Sequence, residues 1–132
     1  MNAPKSPSMR TPLARVRALG ASHSGTSDFW RQRLTAVAMT ILIVPVIVVV
    51  LMLLGSNQAG AKQIFSSLPI AIIMLLFIVA SAWHMKIGMQ VVIEDYIHGE
   101  KLKLALVMAN NFFSFAVALV SIYAILKMSS GV

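Results

Sequence analysis

Three long apolar segments constrain this chain more than any other feature of its sequence. Each has the roughly 20 residues that a helix needs to cross the hydrocarbon core of a bilayer. Lipid offers the backbone no hydrogen-bond partners, so each segment has to be helical. Only 11% of the residues are charged, whereas about 25% is usual in a soluble domain. The sequence therefore predicts an all-α membrane protein with three transmembrane helices, at about residues 33–54, 68–94 and 101–127.

The net charge of +7 is concentrated near the first helix. Positive charge flanking apolar segments is typical of the cytoplasmic side of membrane proteins, so we predict no nucleic-acid partner. Lys101 and Lys103 put the loop between helices two and three on the same side, which leaves the C-terminus in the periplasm. We interpret residues 1–27 as a basic cytoplasmic arm and residues 28–132 as the membrane anchor domain. A mitochondrial presequence is the alternative interpretation of the arm. Six basic residues precede the first helix: Lys5, Arg10, Arg15, Arg17, Arg31 and Arg33.

His84 lies inside the second apolar segment, and an ionisable residue there is a functional-site hypothesis by default. It is roughly 24 Å from the outer end of the helix and roughly 15 Å from Glu94, hence in the cytoplasmic half. Gly88 and Ser81 are expected on the same helix face. This small-residue face is typical of a helix–helix contact. Alternatively, a porphyrin could lie there with His84 Nε2 on its iron, since the chain has no cysteine for covalent haem attachment.

Asp95 and Tyr96 follow at the expected cytoplasmic boundary of this helix. A tyrosine at this depth belongs to the interfacial aromatic belt, but its hydroxyl could also donate to the carbonyl of a lipid-soluble quinone. In the third helix, Asn110 and Asn111 are expected to form hydrogen bonds between helices or subunits.

The order of these residues resembles the D subunit of succinate dehydrogenase, the small hydrophobic anchor of bacterial succinate:quinone oxidoreductase (respiratory complex II). His84, Gly88 and the Asp95–Tyr96 pair follow one another with the family's own twelve-residue spacing from histidine to tyrosine. The segment DFWRQRLTAVA before the first apolar run provides a second match, at Asp28, Arg33, Thr35 and Ala36. The resemblance covers the three helices and the residues immediately before them.

The resemblance implies a helical bundle in which haem b lies between two histidines, one from each of two anchor subunits. His84 would be the axial ligand of the haem iron on this chain, and Arg33 would pair with a propionate. Tyr96 would donate to ubiquinone, with Asp95 in support. The implied partners are the cytochrome b anchor subunit, an iron–sulfur subunit and a flavoprotein subunit, and the last two would carry the iron–sulfur clusters and the FAD.

No succinate active site is expected on this chain, which would be a non-catalytic subunit of an enzyme complex in the bacterial inner membrane. Some members of the family carry a histidine beside Asp28 that reaches the propionate. This chain has Ser27 there, with His23 as the nearest substitute. His98 is expected to be a solvated loop residue. Two alternatives stay open: a small membrane protein of the holin type, and the anchor of a quinol:fumarate reductase.

Overall fold

The computed structural model describes residues 11–13 and 25–130. Residues 25–130 contain four helices and no strand, which confirms the all-α prediction. These are α1 (Gly25–Leu53), α2 (Gln58–Phe65), α3 (Leu68–Tyr96) and α4 (Glu100–Ser129). The three long helices are each long and apolar enough to span a membrane, as predicted. At 1.5 Å per residue they extend roughly 45 Å, beyond the hydrocarbon core of about 30 Å.

Helix α1 begins well before the predicted start near residue 33. Asp28 lies in its first turn, where a carboxylate is favoured by the helix dipole. Its carboxylate pairs with Arg31 at 3.6 Å, one turn further along the same surface. This polar turn extends α1 on the N-terminal side of the apolar segment. His23 and most of the predicted arm lie outside the described residues.

The connection between α1 and α3 contains a short helix, α2, that was not predicted from the sequence. Gly55, with a φ of +80° that suits glycine, lies in the turn that follows α1. The side chain of Asn57 then caps α2 by accepting a hydrogen bond from the backbone N–H of Gly60. Phe65 is buried and anchors α2 to a small apolar core formed with Val49, Ala71 and Ile125.

Helix α3 packs against both α1 and α4. Asn110 on α4 is buried, and its Nδ2 donates to the backbone carbonyl oxygen of Lys86 on α3 at 2.9 Å. The expected interhelical role of Asn110 is therefore confirmed. Asn111 differs, because its Oδ1 is buried with no hydrogen-bond partner in the described part of the chain. Most large apolar side chains of the long helices face outward, as expected for surfaces covered by lipid or by neighbouring helices.

Replacing Asn110 with alanine should weaken the packing of α4 on α3 by about 0.5 to 2 kcal/mol, the usual range for interhelical hydrogen bonds in membranes. The free energy of unfolding, measured by titrating the bicelle-reconstituted chain with dodecyl sulfate, provides the test. Asn111→Ala is the matched control, since it removes the same side chain next door without breaking a hydrogen bond within the chain. Equal effects of the two substitutions would contradict the assigned role of Asn110.

Candidate functional site

The imidazole of His84 lies between α3 and α1 and is half-buried. Both of its nitrogens face side chains of α1: Nδ1 is 3.1 Å from Thr35 Oγ1, and Nε2 is 3.2 Å from Gln32 Nε2. Gln32 and Thr35 are three residues apart and therefore share one face of α1. The neighbouring-helix contact considered for His84 is thus present within the chain itself.

Gly88 belongs to the same contact. A Cβ atom at this position would lie 3.2 Å from Gln32 Nε2, tighter than an ordinary van der Waals contact. The glycine therefore leaves room for the Gln32 amide beside the imidazole. Ser81 is the other small residue expected on this face of α3. It lines a separate cavity of about 160 Å³ together with Val117 and Ser121 of α4.

A groove of about 430 Å³ runs between α1 and α3 from the level of His84 toward the cytoplasmic boundary predicted from the sequence. We call it the α1–α3 groove. Gln32 and Ile87 line its inner end beside His84, and the charged residues Asp28, Arg33 and Glu94 line it further out. Arg33 therefore lines the groove itself, whereas His84 does not line it and contacts Gln32 at its inner end.

The Arg33 side chain is exposed, and its guanidinium lies 4.4 Å from the ring centroid of Phe29. This contact is a cation–π interaction with the neighbouring aromatic ring. Asp28 pairs with Arg31, and no carboxylate in the described residues is within salt-bridge distance of Arg33. The five N–H donors of Arg33 therefore remain available at the groove for an incoming carboxylate.

Asp95 and Tyr96 lie apart from this groove, at the end of α3. Tyr96 is 76% exposed, and in the described residues neither side chain makes a hydrogen bond. Tyr96 is roughly 18 Å along the helix from His84 and about a third of a turn around it. Among the predicted site residues, Arg33 lines the groove and His84 lies at its inner end, whereas Asp95 and Tyr96 lie outside it.

Gln32 was not identified from the sequence, and Thr35 was noted only as part of a family pattern. Their spacing was a usable signal, because two polar side chains three residues apart at the start of an apolar span share a helix face.

The α3–α4 connection also contains a contact that the sequence did not predict: Lys103 Nζ donates to the backbone carbonyl oxygen of Glu94 at 2.9 Å. His98, in that connection, is exposed.

Comparison with known proteins places this fold in context. Residues 7–120 match the family model described as succinate dehydrogenase/fumarate reductase transmembrane subunit. The chain is 31% identical over 121 residues to the succinate dehydrogenase hydrophobic membrane anchor subunit of Paracoccus denitrificans, covering 92% of this chain and 93% of the relative. It is 32% identical to the protein of the same name from Rickettsia bellii, covering 88% of this chain and 93% of that relative. No solved structure matches the chain significantly.

These matches include the segments that contain Arg33, His84 and Tyr96, and the family match reaches residue 120 in α4. They confirm the resemblance identified from the order of those residues, and they favour the anchor interpretation over the holin interpretation. The chain belongs to the succinate dehydrogenase/fumarate reductase transmembrane subunit family, and with it to the non-catalytic membrane anchor subunits of that enzyme complex.

Proposed function

We propose that this chain holds haem b together with a second anchor subunit and forms one wall of the ubiquinone site in a succinate:ubiquinone oxidoreductase. The observation that carries the haem proposal is the α1–α3 groove, which is lined by an arginine with free donors and by Gln32, whose amide lies against the half-buried His84. The quinone proposal is carried by Tyr96, a hydroxyl exposed at the end of the same helix. Both roles concern electron transfer, and succinate oxidation would take place on partner subunits.

The residues at the groove fit a haem. His84 provides an imidazole whose Nε2 is faced only by a rotatable side-chain amide, and Gly88 keeps the α3 surface flat beside it. Arg33 would bind a propionate, since guanidinium groups recognise carboxylates through paired N–H donors. The haem would supply a one-electron centre held by axial histidine. Because His84 is the one histidine in the described spans, the second axial ligand would come from the cytochrome b anchor subunit.

Tyr96 would act as a hydrogen-bond donor to a carbonyl of ubiquinone at the cytoplasmic boundary. Its phenol carries one O–H donor and has no partner in the described residues, so the donor is free for a substrate. Asp95 precedes it and would orient the phenol or a nearby water. The opposite wall of the site would come from the cytochrome b anchor and the iron–sulfur subunit, and the latter would bring the clusters fed by the FAD of the flavoprotein subunit.

The orientation follows from the basic residues flanking α1 and starting α4. We propose a multi-pass protein of the bacterial inner membrane, with the N-terminus in the cytoplasm and the C-terminus in the periplasm. The names of the relatives from Paracoccus and Rickettsia favour succinate oxidation. The family itself includes fumarate reductases, so quinol:fumarate reduction is the second candidate.

Replacing His84 with leucine should abolish the low-spin haem spectrum of the purified complex, because the iron loses an axial nitrogen. The reduced-minus-oxidised absorption spectrum and the haem content per flavin provide the readout. His98→Leu is the matched control, since His98 is exposed in the α3–α4 connection and should leave both unchanged. An unaltered spectrum and haem content in the His84 variant would refute axial ligation.

Replacing Tyr96 with phenylalanine removes one hydroxyl and should lower the rate of succinate-dependent ubiquinone reduction by about 10-fold or more, as for loss of a hydrogen bond to a polar substrate group. Succinate-dependent reduction of ferricyanide, which bypasses the quinone site, should not change. Tyr123→Phe is the control, because Tyr123 is a similarly exposed phenol near the other end of the bundle. Normal ubiquinone reduction by the Tyr96 variant would exclude the proposed role.

Orientation can be tested with single cysteines, because the natural chain has none. Cysteine at Ser56, between α1 and α2, should react with a membrane-impermeant maleimide added to intact cells. Cysteine at His98, between α3 and α4, should react only after the inner membrane is opened. Denatured samples give the total labelling for each variant. The reverse pattern would place the N-terminus in the periplasm and would overturn the assignment.

A further inference from the structure

Thr35 contacts His84 in a way that restricts where the imidazole proton can be. The Thr35 hydroxyl has a single hydrogen, and Oγ1 lies 2.8 Å from the carbonyl oxygen of Arg31 and 3.1 Å from that of Gln32. Such bonds to the preceding turn are the usual arrangement of threonine in a helix. With its hydrogen directed there, Oγ1 presents lone pairs to His84 Nδ1 at 3.1 Å. Nδ1 must then carry the proton and donate.

The other side of the ring leads to the same tautomer. Gln32 faces His84 Nε2 with its amide nitrogen at 3.2 Å, and an amide nitrogen donates but does not accept. A protonated Nε2 would put two donors against each other. The neutral ring with hydrogen on Nδ1 and a lone pair on Nε2 therefore satisfies both contacts. For a neutral ring, turning the Gln32 amide over would require the opposite tautomer and would force the Thr35 hydrogen away from the backbone.

Only one end of the Gln32 amide, its nitrogen, has a hydrogen-bond partner at this position. Its Oε1 is buried and has no hydrogen-bond partner in the described residues, and an unpaired buried carbonyl is destabilising. Gln32 is therefore the less fully paired of the two residues that hold the ring. Gln32 also lines the α1–α3 groove, which leaves open space on one side of its side chain. Thr35 has no such strain, since each of its hydrogen-bonding groups is used.

We propose that Thr35 is a positioning residue for His84: it fixes the Nδ1–H tautomer and leaves the Nε2 lone pair for iron, while Gln32 covers Nε2 until iron replaces it. This inference rests on the proposed haem function. A hydrogen bond from the second nitrogen of a ligating imidazole to an acceptor orients the ring and raises its basicity, and losing it commonly lowers metal affinity 10- to 100-fold. A more basic imidazole stabilises the ferric state, so the bond also lowers the reduction potential.

The test compares three variants of the assembled complex. Thr35→Val keeps the shape but removes the acceptor, and it should increase haem loss to excess apomyoglobin about 10- to 100-fold. It should also raise the haem midpoint potential and change the electron paramagnetic resonance g-values of the ferric haem. Thr35→Ser should restore all three properties. Thr40→Val is the control, because the Thr40 hydroxyl makes the same backbone bond, to Ala36 at 2.9 Å, without touching His84.

Thr35→Ala gives the same comparison if the valine variant fails to assemble, which loss of flavin from the membrane fraction reveals. Wild-type haem retention, potential and g-values in an assembled Thr35 variant would refute the positioning role and leave haem ligation by His84 intact. A negative shift of the potential would also refute it. Failure of the haem proposal itself is seen separately, as an unaltered haem spectrum in His84→Leu.

Discussion

Every polar group inside a lipid-embedded bundle needs a partner within the protein, because the bilayer core provides none. This constraint explains why the described polar contacts between helices are few and local. Asn110 ties α4 to the backbone of α3, and Gln32 with Thr35 ties α1 to His84 on the opposite face of α3. Helix α3 is held on both sides by such contacts, and its position fixes the α1–α3 groove. The apolar core is small and lies near α2.

The same constraint distinguishes polar side chains that find a hydrogen-bond partner within this chain from those that do not. Gln32 Oε1, Ser81 Oγ and Asn111 Oδ1 are buried without hydrogen-bond partners in the described residues, and Tyr96 is exposed. Subunits of this family function within a larger complex, and the outward-facing surfaces of α1, α3 and α4 are correspondingly apolar. In the proposed function, Gln32 would lie at a haem pocket and Tyr96 at a quinone site that other subunits would complete. Asn111 and Ser81 have no assigned role.

The sequence predicted the three spans, which depend on the length of apolar segments. It missed the features that depend on local polar contacts. The three spans follow from the minimum length of a membrane helix, and α3 was placed almost to the residue at its start. Helix α2 was missed because its eight residues are stabilised by the Asn57 cap and by burial of Phe65, not by a long apolar pattern. The sequence did not predict that Ser81 lines a cavity with Val117 and Ser121 of α4, because that contact depends on how α4 packs against α3. Gln32 was missed because its role exists only when α1 lies against α3.

The proposed haem site depends on His84, whose Nε2 would ligate the iron while Thr35 accepts a hydrogen bond from Nδ1. A cryo-electron microscopy map of the purified oxidoreductase, at a resolution that separates side chains around the haem, tests this arrangement most directly. We expect His84 Nε2 to be bonded to the iron, the Thr35 hydroxyl to remain on Nδ1, and the Gln32 amide to be turned away from the ring. A haem ligated by other residues, with Gln32 still covering His84 Nε2, would contradict this arrangement.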